Sequence, residues 1–460
     1  MVFRRSAVRQ KVNRRVEVYL ERRVKESTDD RRRFLVRAGL AATAGAVVSS
    51  CRSRRSASVG SGDEWDKVRE QFNLSRDQID LSALFIASHP KPVRDAIERY
   101  RVTLDDNPTF YLREQLNGHE NEVLEAAADY LGANPADIAL TDSTTMGLGL
   151  VYNGLKLLPG QQIITTEHDY YATHESLRLA ADRSGAHIHE IKLYQQEQTI
   201  TADEIVTNIR NAVMPETRVL ALTWVHSSTG LKLPLKLIAE ALKEVNAKRD
   251  ESQKVLMCVD GVHGFGVEDI EVNETGCDFF MAGCHKWLFG PRGTGIVWGN
   301  ERAWAAVSPI IPTFMDDEVR NAWMRDDEPP DRTTARRMTP GGFKAFEHQW
   351  AMAEAFKFHL DIGKDKVAAR THELNRQFKE GLTGMSHVKL YTPRDENLSS
   401  GIVCFDIDGM SPRDVVGRLR QRKIIATPTP YADSHARVSP SIRNSPQEID
   451  IALREIRALA

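Results

Sequence analysis

Between residues 138 and 282, short apolar runs recur at 138–140, 163–164, 187–191, 219–222, 255–259 and 279–282. Apolar residues at helical spacing fill most of the gaps, at 146–158, 173–181, 202–213 and 235–245. This alternation restricts the fold more than any other feature. Parallel strands need a crossover that passes over a sheet face, and a helix supplies it. The expected fold class is α/β, with a mostly parallel sheet covered by helices on both faces. Ligands of such sheets bind beyond the carboxyl ends of the strands. The residues that follow each apolar run are therefore the ones to read for chemistry.

The flanks differ. Lys91-Pro92-Val93 opens a helix with Val93, Ile97 and Leu104 on one face, and a second helix passes through Val123, Leu124 and Ala127 to stop near Gly132. A Pro-, Arg- and Asp-rich stretch at 326–337 ends the alternation. Helices at 345–360, 367–382, 411–421 and 446–459 and a strand at 402–407 then make a smaller α+β unit. The expected division is a head at 1–62, a large domain at 63–335 and a small domain at 336–460. The 41% hydrophobic and 27% charged residues are ordinary for a soluble globular chain, which excludes fibrous and low-complexity classes. Five scattered cysteines without a CxxC pair give neither a disulfide framework nor a structural zinc site, so no metal is expected.

Charge is unevenly spread. Residues 1–62 carry 16 Lys and Arg against 5 Asp and Glu, whereas the other 398 carry 46 against 59. An acidic body argues against nucleic-acid binding. In the head, Arg31-Arg32-Arg33-Phe34-Leu35 precedes an apolar run at 38–50, too short to span a bilayer. This order resembles a twin-arginine (Tat) export signal. Val48-Ser49-Ser50-Cys51 resembles a lipobox, which would put a lipid anchor on Cys51. The expected location is the periplasm, free or membrane-anchored. A disordered basic tail is the plain alternative.

The richest string is Ala282-Gly283-Cys284-His285-Lys286-Trp287-Leu288-Phe289-Gly290-Pro291. It sets a lone lysine just past a buried run. Some 26 residues earlier another run ends in Asp260-Gly261-Val262-His263. A strand-end carboxylate and a strand-end lysine are what pyridoxal 5′-phosphate requires. The lysine condenses with its aldehyde, and the carboxylate keeps its ring nitrogen protonated so that the ring accepts electrons. Thr141-Asp142-Ser143-Thr144-Thr145 is a hydroxyl-rich turn into a helix, suited to a phosphate. Thr165-Thr166-Glu167-His168 ends a further run. Each piece also has a purely structural reading: Asp260 and the threonines as helix caps, the histidines as core residues, Arg437 as an ion pair.

In order and spacing, residues 80–460 resemble class V aminotransferase-like enzymes of pyridoxal-phosphate fold type I, in the isopenicillin N epimerase-like and cysteine desulfurase-like branch. The resemblance implies a seven-stranded large-domain sheet, a smaller C-terminal α+β domain and a homodimer. It implies Lys286 as the Schiff-base lysine, Asp260 at the ring nitrogen, and His263 and Ser227 on the phenolic-oxygen side. It makes His168 the stacking residue, and Thr144, Thr145 and His285 the phosphate cup. Thr339 would reach the neighbouring subunit's phosphate, and Arg437 would grip the substrate carboxylate. His89, after Leu84-Phe85-Ile86, is implied as a substrate contact.

One departure stands out. The segment 425–431 lacks the mobile cysteine that desulfurases need, and Cys404 falls inside an apolar strand. The expectation is a transferase or isomerase acting on a small-molecule or peptidic amine by α-proton abstraction. A folded, exported enzyme of this kind is similar in plan to periplasmic pyoverdine-maturation enzymes, so siderophore-like substrates belong to the class considered. A C–S lyase and a binding protein without catalysis remain as alternatives.

Overall fold

The computed structural model describes residues 64–196 and 199–459. After a short helix at Glu64–Glu70 and a two-residue strand at Ile79–Asp80 come the helices Lys91–Asp106 (α1) and Pro108–Leu131 (α2). Each has proline in its first turn, and Gly132, at φ 63°, ends the second in the left-handed conformation that favours glycine. The alternating region follows as Ile138–Thr141 (β1), Thr144–Gly154 (α3), Gln162–Thr166 (β2), Tyr171–Ser184 (α4), His187–Ile191 (β3), Ala202–Ala212 (α5), Thr217–Thr223 (β4), Leu235–Asn246 (α6), Leu256–Asp260 (β5), Phe279–Gly283 (β6) and Gly295–Gly299 (β7).

These seven strands form one sheet in the order β1-β7-β6-β5-β4-β2-β3. Only β7 runs against the others, antiparallel to both β1 and β6. The sheet is therefore mixed but mostly parallel, and the fold class is α/β of the fold type I plan. Burial explains the sequence pattern. Met257 and Val259 of β5 join one apolar cluster while Leu256 and Cys258 join another on the opposite face. Both faces are thus apolar, and strands covered on both sides read as unbroken runs.

The C-terminal part contains Phe346–Ile362 (α7), Lys364–Thr383 (α8), Val388–Leu390 (β8), Val403–Ile407 (β9), Pro412–Gln421 (α9), Thr427–Pro428 (β10), Ala436–Val438 (β11) and Pro446–Arg457 (α10). Its four strands pair antiparallel in the order β10-β11-β9-β8. A separate apolar cluster with Leu374, Phe378, Phe405, Val415 and Ile449 fills it. Ser445 and Glu448 start α10 with a reciprocal capping box. Glu268, after β5, ties the two sheets' surroundings together: it accepts from Lys232 at 2.8 Å and from Ser400 at 2.6 Å, and lies 3.0 Å from His372 of α8. Among the described residues no helix is long and apolar enough to cross a membrane.

Candidate active site

The carboxyl ends of β1, β2, β4, β5 and β6 share one edge of the sheet, and the polar residues that follow them converge there. Thr223 and Asp260 are register partners at the ends of β4 and β5. Beyond Asp260 the chain must turn at once, and a Cβ on Gly261 would fall 2.0 Å from the Phe280 ring, so only glycine fits. Asp260 Oδ1 accepts from Val262 N–H at 3.1 Å, and its other oxygen bonds no group among the described residues. Beyond β6, Gly290 N–H and Phe289 N–H close back on the carbonyls of Cys284 and Lys286. Phe289 sits at φ 57°, a strained angle for a residue with a side chain. It is held there by edge contact with Phe72, ring centroids 5.0 Å apart.

This edge encloses a cavity of about 650 Å³. Lys286, Asp260, His263, His285, Ser227, Thr144, Thr145 and Arg437 all line it. Lys286 Nζ lies 3.3 Å from His263 Nε2. Burial brings its amine down to about 8, against the pull of Asp260 and with the help of Arg437. Burial pushes the Asp260 carboxyl up to about 6, although the Val262 N–H and Lys286 resist. His263 is held well below its usual range by burial, then by Lys286, Arg437 and His285. Burial, Lys286 and Arg292 lower His285 to about 4.

At the start of α3, Ser143 caps the helix by accepting from Met146 N–H. The capping reading therefore belongs to Ser143, not to its threonine neighbours. Thr144 Oγ1 instead accepts from Gly283 N–H at 2.8 Å, which ties the helix start to the end of β6. A Cβ on Gly283 would approach both Thr144 Oγ1 (3.0 Å) and the His285 ring (3.1 Å). The opening N–H groups of an 11-residue helix thus face a cavity with cationic lining. Arg437, on β11, donates from Nε to Thr427 Oγ1 at 3.0 Å and from Nη1 to the Ser227 carbonyl at 2.7 Å. Ser227 Oγ and Tyr431 Oη are 2.7 Å apart.

His168 and His89 lie outside this cavity, and Thr339, expected at a neighbouring subunit's phosphate, lies apart from it as well. His168 is outside this cavity, its ring stacked on Tyr194 with centroids 4.4 Å apart. The cause is Asp169, whose carboxylate accepts from Thr165 Oγ1, Thr166 N–H and Thr223 N–H. That turn swings residue 168 outward and brings Tyr170 to the cavity wall instead. His89 is also outside; Leu84, Phe85 and Ile86 form the wall there. Burial first, then Arg292, His348 and Arg94, lower His89 to about 4. Thr339 is buried away from Lys286, accepting from Leu140 N–H at 3.1 Å and donating to Ala335 O. It borders a different cavity, of about 810 Å³, rimmed by Phe314, Trp323 and Phe343.

Sequence reasoning missed Tyr170, Thr223 and the segment around Pro430 as wall residues. For Thr223, the signal available was its position at the end of an apolar run. Tyr170 and Pro430 lie in turns, where periodicity is silent.

The family profile described as Aminotransferase class-V matches residues 87–436. Isopenicillin N epimerase of Amycolatopsis lactamdurans is 27% identical over 351 residues, 74% of this chain and 84% of that protein. A probable cysteine desulfurase of Pyrococcus abyssi is 24% identical over 366 residues, 78% of this chain and 86% of that protein. Among solved structures, a variant of the C–S lyase C-DES with glycine covalently linked to its pyridoxal-phosphate cofactor superposes with a TM-score of 0.76 at 19% identity. That match covers 85% of this chain and 98% of the other. The apo cysteine desulfurase of Thermococcus onnurineus gives 0.73 at 20% identity, covering 86% and 97%. These likenesses support the fold.

Proposed function

The chain belongs to the aminotransferase class-V family of pyridoxal-phosphate enzymes, and from that premise we propose that it abstracts the α-proton of an amino acid, or of a peptidic or siderophore-like amine derived from one, in a reaction of the aminotransferase or epimerase type. The observation that carries this reading is one cavity holding the Lys286 amine, the Asp260 carboxylate and the Arg437 guanidinium together.

The residues present fit the cofactor. Thr223 Oγ1 is buried in the cavity wall without a hydrogen-bond partner among the described residues. Asp260 keeps one oxygen unbonded beside it. A buried hydroxyl and carboxylate left in this state are costly unless a polar ligand meets them. Bound there, pyridoxal phosphate supplies a ring that stabilises negative charge at the substrate α-carbon. Lys286 would hold its aldehyde, and Asp260 would hold its ring nitrogen. The start of α3, with Thr144, Thr145 and His285, would bind its phosphate. Tyr170 offers the aromatic surface expected of His168. The free Lys286 amine would take the substrate α-proton; lowered to about 8, a useful fraction of it is neutral near neutral pH. Arg437, its plane fixed by Ser227 and Thr427, orients the substrate carboxylate.

A sulfur-relay reaction, suggested by the desulfurase relatives, has little support here. The segment 425–431 has no cysteine. Cys404 is fully buried on β9, and burial pushes its thiol up to about 12. A second copy of the chain is the proposed partner. It would cover Phe343, Trp323 and Phe314, which are 84%, 79% and 62% exposed around the Thr339 cavity. Export by the Tat machinery to the periplasm, with or without a lipid on Cys51, is also part of the proposal. Its support is the order of residues 31–51, which lie outside the described residues.

The test is a deuterium wash-in screen of candidate amines in heavy water, which reports α-proton abstraction whatever product follows. Wild-type protein should be coloured and should exchange the α-proton of at least one amine. Lys286→Ala should lose both colour and exchange. A coloured protein that exchanges no amino acid or peptidic amine would leave binding without catalysis as the better reading.

A further inference from the structure

We propose that Trp287 is a positioning residue for the reacting lysine: its indole N–H holds His263 in the tautomer whose Nε2–H faces Lys286, and this favours the uncharged form of the free amine. The inference rests on the reading of Lys286 as the reacting amine and names the group that sets its protonation.

Trp287 Nε1 donates to His263 Nδ1 at 3.4 Å, and His263 Nε2 lies 3.3 Å from Lys286 Nζ. Both rings are buried, Trp287 at 1% and His263 at 5% exposure. An indole nitrogen only donates, so Nδ1 must present a lone pair. A neutral imidazole with a bare Nδ1 carries its proton on Nε2. That proton points at Lys286 and needs a lone pair in return. An amine has one, whereas an ammonium has none. The two hydrogen bonds therefore coexist only when Lys286 is neutral.

The reversed tautomer would accept from an ammonium, but it would set Nδ1–H against the indole N–H at 3.4 Å, too close for a water between them. An imidazolium meets the same conflict. The indole cannot easily move away: a Cβ on Gly401 would already stand 2.6 Å from its Cη2.

Other charged and titratable groups face Lys286 as well. Asp260, from the end of β5, favours the ammonium. Arg437, from β11, opposes it. His285, the neighbour in the chain, and His263 itself are both held neutral. The Trp287–His263 pair adds a directional bias that none of these supplies, because it distinguishes a lone pair from a proton at Nζ.

The test uses full-length protein freed of cofactor. Nitrogen-15 spectra of histidine-labelled chain, with the His263 signals identified by their loss in His263→Leu, should show a bare Nδ1 and a protonated Nε2. Trp287→Phe keeps the ring but removes the N–H. It should mix or reverse the tautomers and raise the Lys286 midpoint, measured by competitive acetylation against pH, by about half to one unit. In the His263→Leu background the same substitution should leave that midpoint where it is.

A protonated Nδ1 in the wild-type chain overturns the proposal. So does an unchanged midpoint in folded Trp287→Phe, or an equal rise without His263. If Trp287→Phe does not fold, the wild-type spectrum decides alone. Neither readout involves the cofactor or turnover. A chain with the expected tautomer and no amine exchange would therefore sink the functional reading while the hydrogen-bonded bias on the Lys286 amine stands.

Discussion

Replacing Arg437 by lysine isolates the grip on the substrate carboxylate. The guanidinium is 5% exposed and spends Nε on Thr427 and Nη1 on the Ser227 carbonyl, which leaves Nη2 unclaimed for a ligand. A lysine has a single nitrogen and cannot keep two anchors while reaching a third partner. The loss is then one charge-assisted hydrogen bond in a largely buried setting, worth about 1.5–3 kcal/mol. That corresponds to a fall of roughly 10- to 150-fold in kcat/KM, since each 1.4 kcal/mol or so is a factor of ten. The assay is α-deuterium exchange against concentration for an active amino acid and for the matched amine that lacks its carboxylate. Arg437→Lys should raise KM for the first and leave the second nearly untouched. If both suffer equally, the arginine is part of the cavity's architecture and not a carboxylate clamp.

Three further outcomes follow from the same geometry. Burial raises the Glu268 carboxyl, but its contacts with His372 and Lys232 outweigh this and hold it at about 2, below the ordinary 4.5. Its stabilisation is therefore present above pH 4.5 and fades as pH falls through about 2. Glu268→Gln should cost about 3 kcal/mol in urea unfolding at pH 7 and converge with wild type in acid; equal stabilities at pH 7 would refute the network. Cys404→Ser should leave amine exchange unchanged, and a marked loss would show that the buried thiol takes part. Replacing Arg31 and Arg32 together by lysine should retain the protein in the cytoplasm, as cell fractionation would report; undiminished export would remove the Tat reading.

The chemistry was legible in the sequence where a polar residue interrupts a buried strand end. Asp260 ends a buried strand and Lys286 stands in the turn just past the next one, so the sheet's geometry brings both to one edge. The same logic does not place His168 in the cavity, because the direction of a side chain past a strand end depends on the turn. Here the turn is fixed by Asp169, whose carboxylate bonds span β2 and β4 and have no local signature. His89 failed similarly: the chain segment is right, but the wall is formed three to five residues earlier. The reversed strand β7 was hidden because Ile296-Val297-Trp298 follows a glycine-rich turn and is too short to show a period. The helices were easier: α1 was readable from Val93 and Ile97, and α2 from its end at Gly132, because amphipathic spacing and caps are local.

The cavity draws its walls from two sheets. Lys286, Asp260 and the α3 turn are built on the large one, while Arg437, Thr427, Pro428 and Pro430 come from the small one and its connecting loop. On the proposed function, reactivity and selectivity are thereby written in different parts of the gene. A handful of codon changes between 427 and 433 would redraw what the enzyme admits while the reacting lysine keeps its surroundings, so descendants of such a scaffold can diversify in diet without relearning their trade.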